Sequence, residues 1–235
     1  MPIQIGLLLF PRLTQLDLTG PFEVFAKLPD VSVHLLWKTL EPVTAETGMR
    51  ILPDTTLVGS PLLDVLCVPG GPGVSAIMED ADVLEYLRAQ ASSARFVTSV
   101  CTGALVLGAA GLLRGRRATT HWASHDLLSA FGAIPTKGRV VRDGNLITGG
   151  GVTAGIDFAL TVAAEVAGQA VAQAIQLQIE YAPAPPFDAG SPETAPPDVL
   201  WTVRQRNARM RIEREALVAR IAPPKRRADA ESPEV

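Results

Sequence analysis

The chain has 235 residues, 47% of them apolar and 19% charged, with a formal net charge of -3, which suits one large α/β domain, or two small ones, around a sizeable core. That balance leaves no general electrostatic footprint for nucleic acid, and no apolar run approaches the roughly 20 residues needed to span a bilayer, so small molecules or further copies of the chain are the expected partners. Two cysteines, Cys67 and Cys101, are too few for a disulfide framework and lack the clustering of a zinc site.

The N-terminal MPIQIGLLLFPRLTQ has neither a basic residue before its apolar run nor a small-residue cleavage site after it, so it reads as the first strand of a cytoplasmic protein. Apolar runs at Gln4 to Phe10, Val31 to Thr39, Asp64 to Val68 and Arg95 to Val100 alternate with segments of helical spacing at Pro21 to Leu28, Asp82 to Ser92 and Thr102 to Ala110. Such alternation implies a mostly parallel sheet covered by helices on both faces. Between Pro42 and Leu57, and again around the Asp143-Gly144 turn of VVRDGNLITGG, the pattern reads as two hairpins at the margin of that sheet. Val152 to Ala167 and Gln169 to Tyr181 read as two more helices separated at Gly168, and the core closes near Tyr181.

Beyond that point the proline-rich stretch from Ala182 to Pro197 reads as an extended surface arm. Asp198 is then the expected N-cap of a helix over Val199 to Ile221. Its Arg204, Arg206, Arg209, Arg211 and Arg214 read as a solvated face paired with Glu213 and Glu215 rather than as a nucleic-acid surface. The expected organisation is a compact α/β domain over residues 1–181, an arm and helix over 182–221 packing on that domain or on another copy of the chain, and a disordered tail over 222–235.

The stretch FVTSVCTGALVLGAAGLL, Phe96 to Leu113, places Cys101 where a buried strand gives way to a helix. A nucleophile on such a turn is exposed above the sheet and meets free N–H groups at the helix start, which favour a thiolate. A free cysteine is often simply a small buried hydrophobe, the reading adopted for Cys67. For Cys101 its place at the carboxyl edge of the sheet, where open α/β sheets bind ligands, favours the reactive reading. Pro69-Gly70-Gly71-Pro72-Gly73 should end at the same edge and is a candidate oxyanion hole, although a plain turn reads the same way. Asp17, just after the first strand, is either a turn or cap residue or a carboxyl facing the thiol.

LDLTGPFEVF, VPGGPG, SVCTGALVLGAAGLLRGRRATTHW and GGGVTAGIDFAL, in that order, resemble the PfpI-like superfamily, relatives of the class I glutamine amidotransferases. The resemblance spans the first strand to Tyr181 and implies a flavodoxin-like sandwich with a nucleophile elbow. Asp17 paired with Cys101-Thr102, together with the proline-rich arm, is similar to the isocyanide-hydrating members of that group. This resemblance implies a small-molecule isocyanide substrate, no cofactor, no metal, and a homodimer. It implies that Cys101 attacks the terminal carbon of the isocyanide while Asp17, kept protonated by burial, delivers a proton to the same carbon. Water then adds to the resulting thioimidate and an N-substituted formamide leaves. Thr102 would hold the thiolate or water, and the N–H groups of Gly71 and Thr102 would stabilise developing charge.

Many superfamily proteases and deglycases carry histidine directly after the cysteine and glutamate on the first helix; Thr102 and Asp17 stand there in this chain. His121 and His125, in THWASH, read as one helix face lining the pocket or serving structure, with His121 open as a base. A deglycase or glyoxalase would use the same cysteine but lacks its glutamate here. The motifs also resemble the sensing domain of AraC-type regulators, whose DNA-binding helices find too little room after Tyr181. A sensor oxidised at Cys101 is a further alternative.

Overall fold

The computed structural model describes residues 2–223; the tail expected over 222–235 therefore lies outside the described residues except for Ala222 and Pro223. The strands are β1 (Ile3–Leu8), β2 (Val31–Trp37), β3 (Val43–Thr44), β4 (Arg50–Ile51), β5 (Thr55–Thr56), β6 (Val65–Val68), β7 (Phe96–Val100), β8 (Arg117–Ala118), β9 (Ile134–Pro135), β10 (Val140–Asp143) and β11 (Leu146–Gly149). The helices are α1 (Gln15–Phe25), α2 (Val74–Ile77), α3 (Ala81–Ala91), α4 (Gly103–Ala109), α5 (Ala154–Ala167), α6 (Gln169–Gln178) and α7 (Pro197–Ile221), with a 3-10 helix over Trp122–Phe131.

One seven-stranded sheet runs β10-β11-β7-β6-β1-β2-β5. All its pairings are parallel except β10 with β11. Its central strands are buried along their length because helices cover both faces: Val65 to Val68 and Phe96 to Val100 have no exposed residue. From β1 the chain goes to β2 on one side and to β6, β7 and β11 on the other, so the strand order reverses between β1 and β6. The carboxyl edge at such a switch point is where open α/β sheets open a crevice for ligands. Among the described residues no helix is long and apolar enough to cross a membrane.

Several expectations are corrected. The first helix starts at Gln15, not Pro21, and carries Pro21 in its interior. Thr19, Gly20 and Pro21 are weak helix formers, but Gly20 lies against Ile156 and Pro21 against Gly155 of α5, and this close packing of small residues outweighs local propensity. The hairpin after Val140 is not marginal throughout, because β11 pairs with β7 inside the main sheet. The first hairpin is only β3 with β4, while Thr55–Thr56 joins the main sheet beside β2. The last helix begins at Pro197 with Pro196 as its N-cap, and Asp198 sits in its first turn.

Candidate active site

β7 ends in a backbone that few side chains adopt: Cys101 has φ +53°, the left-handed region. Three bonds hold it there. The Cys101 N–H donates to the Gly149 and Gly150 carbonyls at 3.1 and 2.8 Å, and its carbonyl accepts from the Thr120 hydroxyl at 2.6 Å. The next residue but one must be glycine, since a Cβ at Gly103 would collide with the Val68 carbonyl oxygen. Strand, strained turn and helix α4 thus form the elbow expected from the sequence.

Asp17, in the first turn of α1, is fully buried. Its Oδ2 accepts from the Gly70 N–H at 2.9 Å, and Oδ1 has no protein partner. Burial raises its pKa to about 7, against the lowering effect of the Gly70 N–H and of the nearby Cys101 thiol. Burial, and the negative charge of Asp17 beside it, push the Cys101 thiol well above its ordinary value even though the Thr102 N–H points to it. The expectation of a thiolate made by the helix start alone is therefore corrected: desolvation outweighs the N–H groups. Cys67, wholly buried in β6, is pushed up to about 12 by desolvation.

The glycine loop after β6 differs from an open oxyanion hole. Gly70 spends its N–H on Asp17, and the Gly71 N–H donates to Thr102 Oγ1 at 3.0 Å. Gly71 itself has φ +131° and passes close to the backbone of Leu13 and Thr14, so the loop locks β1, β6 and α4 together. Thr102 is 4% exposed and its hydroxyl is the tie across this junction.

Cys101, Thr102, Gly71 and His121 line one cavity of about 160 Å³, and the buried Asp17 adjoins it through Cys101 and the Gly70 N–H. His121 caps the 3-10 helix, its Nδ1 accepting from the Ala123 N–H at 3.3 Å, and burial with the Arg214 charge nearby lowers its pKa. The ring is thus neutral, with its proton assigned to Nε2, a donor to the cavity rather than a base. His125 lines a neighbouring cavity that His121 also borders, so the two histidines share a pocket as expected, with His121 at the N-cap of the 3-10 helix and His125 within it. Among the described residues no three potential metal ligands gather.

The rest of the wall went unseen in the sequence. Thr14 and Glu46 close one side, their side chains joined at 2.6 Å. Asn207, Met210, Arg211 and Arg214 of α7 close another. Arg209 is solvated and paired with Glu213, as expected. Arg211 bridges Glu215 and also Asp126 on the 3-10 helix, and Arg214 is only 4% exposed. Arg214 Nη1 donates to Ser124 Oγ at 3.2 Å and Nη2 to the Gly71 carbonyl at 3.5 Å, while Nε has no partner. The spacing 207, 210, 211, 214, continued by buried Leu217 and Val218, was the available signal, an inward stripe whose members near the site are polar.

Residues 4–165 match the DJ-1/PfpI family. The chain is 65% identical over 208 residues to the isonitrile hydratase of Pseudomonas putida, covering 88% of this chain and 91% of that one. It is 32% identical over 130 residues to the glutathione-independent glyoxalase DJR-1.2 of Caenorhabditis elegans, covering 54% and 69%. Among solved structures it is similar to a ThiJ/PfpI family protein from Pseudomonas syringae, with a TM-score of 0.90, 44% identity and coverage of 93% and 91%.

Proposed function

Because this chain belongs to the DJ-1/PfpI family, we propose that the cavity above its sheet is the active site of an isonitrile hydratase, adding water to an isocyanide to give an N-substituted formamide. The observation that carries this reading is the extent of identity with the Pseudomonas putida enzyme, 65% over 88% of the chain. The geometry supplies its chemistry.

Asp17 and Cys101 act as one acid-base pair. With both pKa values raised, the pair loses a single proton near pH 7 and keeps the second to much higher pH. In that singly ionised state the proton passes from sulfur to the Asp17 carboxylate, so a thiolate and a neutral acid coexist. The thiolate attacks the terminal carbon of the isocyanide, the Asp17 proton moves to the same carbon, and a thioimidate, R–N=CH–S–Cys101, forms with Asp17 left ionised. Water then adds to the thioimidate carbon, one of its protons going to nitrogen and the other to Asp17. Collapse expels the Cys101 thiolate and releases R–NH–CHO, restoring the starting pair. Thr102 positions the sulfur through its N–H. His121 donates to the substrate or water.

Residues 1–181 form the catalytic domain, with α7 completing its wall, and the protein acts in the cytoplasm as a homodimer. The dimer is supported by α7, which leaves Val199, Trp201 and Ile212 exposed; a monomer by sedimentation at micromolar concentration removes that part.

The test of the activity is incubation of purified protein with cyclohexyl isocyanide, followed by NMR. Catalytic appearance of N-cyclohexylformamide supports the reading, and its absence with a fully reduced protein refutes it.

A further inference from the structure

Arg214 is a cation without an anion. Its side chain is buried beside the cavity that holds Cys101, and among the described residues no carboxylate lies within ion-pair distance of it. Neighbouring Arg211 has two acidic partners, Asp126 and Glu215. Arg214 has only neutral oxygens, those of Ser124 and Gly71, the second at the limit of a hydrogen bond, and its Nε is buried and unpartnered. The acid that shares the cavity, Glu46, is held by Thr14 and adds to the negative surroundings of Asp17. The cavity therefore has Glu46, already engaged, and Arg214, without an anion, in the same wall as Cys101.

A buried guanidinium with unmet donors costs stability unless something supplies oxygen acceptors, and a planar carboxylate fits its fork. A neutral isocyanide has nothing to offer it, since its polar end is the carbon presented to Cys101. A short isocyanocarboxylate carries both groups this lining can use, an isocyano carbon for Cys101 and a carboxylate for Arg214, which border the same cavity.

We propose that Arg214 is a specificity-determining residue that binds the carboxylate of short isocyanocarboxylates, with the isocyano carbon directed at Cys101. This rests on the hydratase reading for its chemistry, but the recognition of an anion by Arg214 is separable from it.

The experiment compares kcat/KM for isocyanoacetate and for its neutral methyl ester in the wild-type enzyme, Arg214→Met and Arg214→Lys. The wild type should prefer the carboxylate by about 10- to 100-fold, the range set by a hydrogen bond to a charged partner. Arg214→Met should abolish that preference, and Arg214→Lys should keep part of it, since charge remains but the fork does not. Binding of N-formylglycine and of its methyl ester, followed by calorimetry with the wild-type protein, gives a readout independent of turnover and of whether the variants fold. A preference for N-formylglycine with no hydration of either isocyanide sinks the hydratase reading and leaves the anion site standing. No preference for the carboxylate in turnover or in binding overturns the proposal. So does equal loss for acid and ester in Arg214→Met, which makes Arg214 a support for the Cys101 thiolate instead.

Discussion

Replacing Asp17 by asparagine should cost the enzyme its reaction and give stability back. In the unfolded chain this carboxyl ionises near its ordinary 3.8, whereas in the fold it keeps its proton up to about 7. Between those values only the folded form holds the proton, so rising pH favours the unfolded chain by about 1.4 kcal/mol per unit. The neutral side chain's contribution is whole below pH 4, is lost progressively between pH 4 and 7, and changes no further above that. Asparagine fills the same volume, offers an oxygen to the Gly70 N–H and has nothing to ionise. Going from pH 5 to pH 8, Asp17→Asn should therefore gain about 3 kcal/mol on the wild type, two pH units of the window. Urea unfolding followed by tryptophan fluorescence at the two pH values reads this difference. Turnover should meanwhile fall by about 10² to 10⁴, the usual worth of general acid-base catalysis. A stability difference identical at pH 5 and pH 8 would refute the raised pKa and, with it, the proton donor.

In formamide-release assays, wild-type kcat/KM should rise as a single-proton limb through about pH 7, set by Asp17, and then hold a plateau because the Cys101 thiol ionises much higher; a profile falling through pH 7 contradicts the shared-proton pair. Since Cys101 sits at φ +53°, Cys101→Gly should be more stable than Cys101→Ala by about 1 kcal/mol, with both inactive. Equal urea midpoints for the two would deny strain at the elbow.

What the sequence made legible were the parts governed by local pattern. β-branched runs ending in glycine turns announced the strands and the edge at which they stop, and a cysteine between FVTSV and TGALV announced the elbow. The corrections come from tertiary effects that no short window contains. Pro21 is helical only because α5 presents Gly155 to it. The sign of the Cys101 shift depends on how dry the site is, and a helix start read from sequence carries no information on desolvation. Gly71 looks like a free donor until the Thr102 hydroxyl, 31 positions away, is seen to take its N–H. Arg214 escaped because five arginines on one helix read as a solvated face; only the partner surface, the 3-10 helix carrying Ser124, reveals which of them turns inward.

Hydration by this route requires a covalent bond between Cys101 and the isocyanide carbon. Mixing wild-type enzyme with excess cyclohexyl isocyanide, quenching within one turnover and mapping the peptides by mass spectrometry tests it most directly. The Cys101 peptide should carry the full mass of one isocyanide, with nothing lost, and the mass should disappear as N-cyclohexylformamide forms. The Cys67 peptide, from a wholly buried thiol pushed up to about 12, should stay unmodified. Formamide formed at the normal rate with no mass on the Cys101 peptide at any quench time, or by Cys101→Ala, would contradict the account.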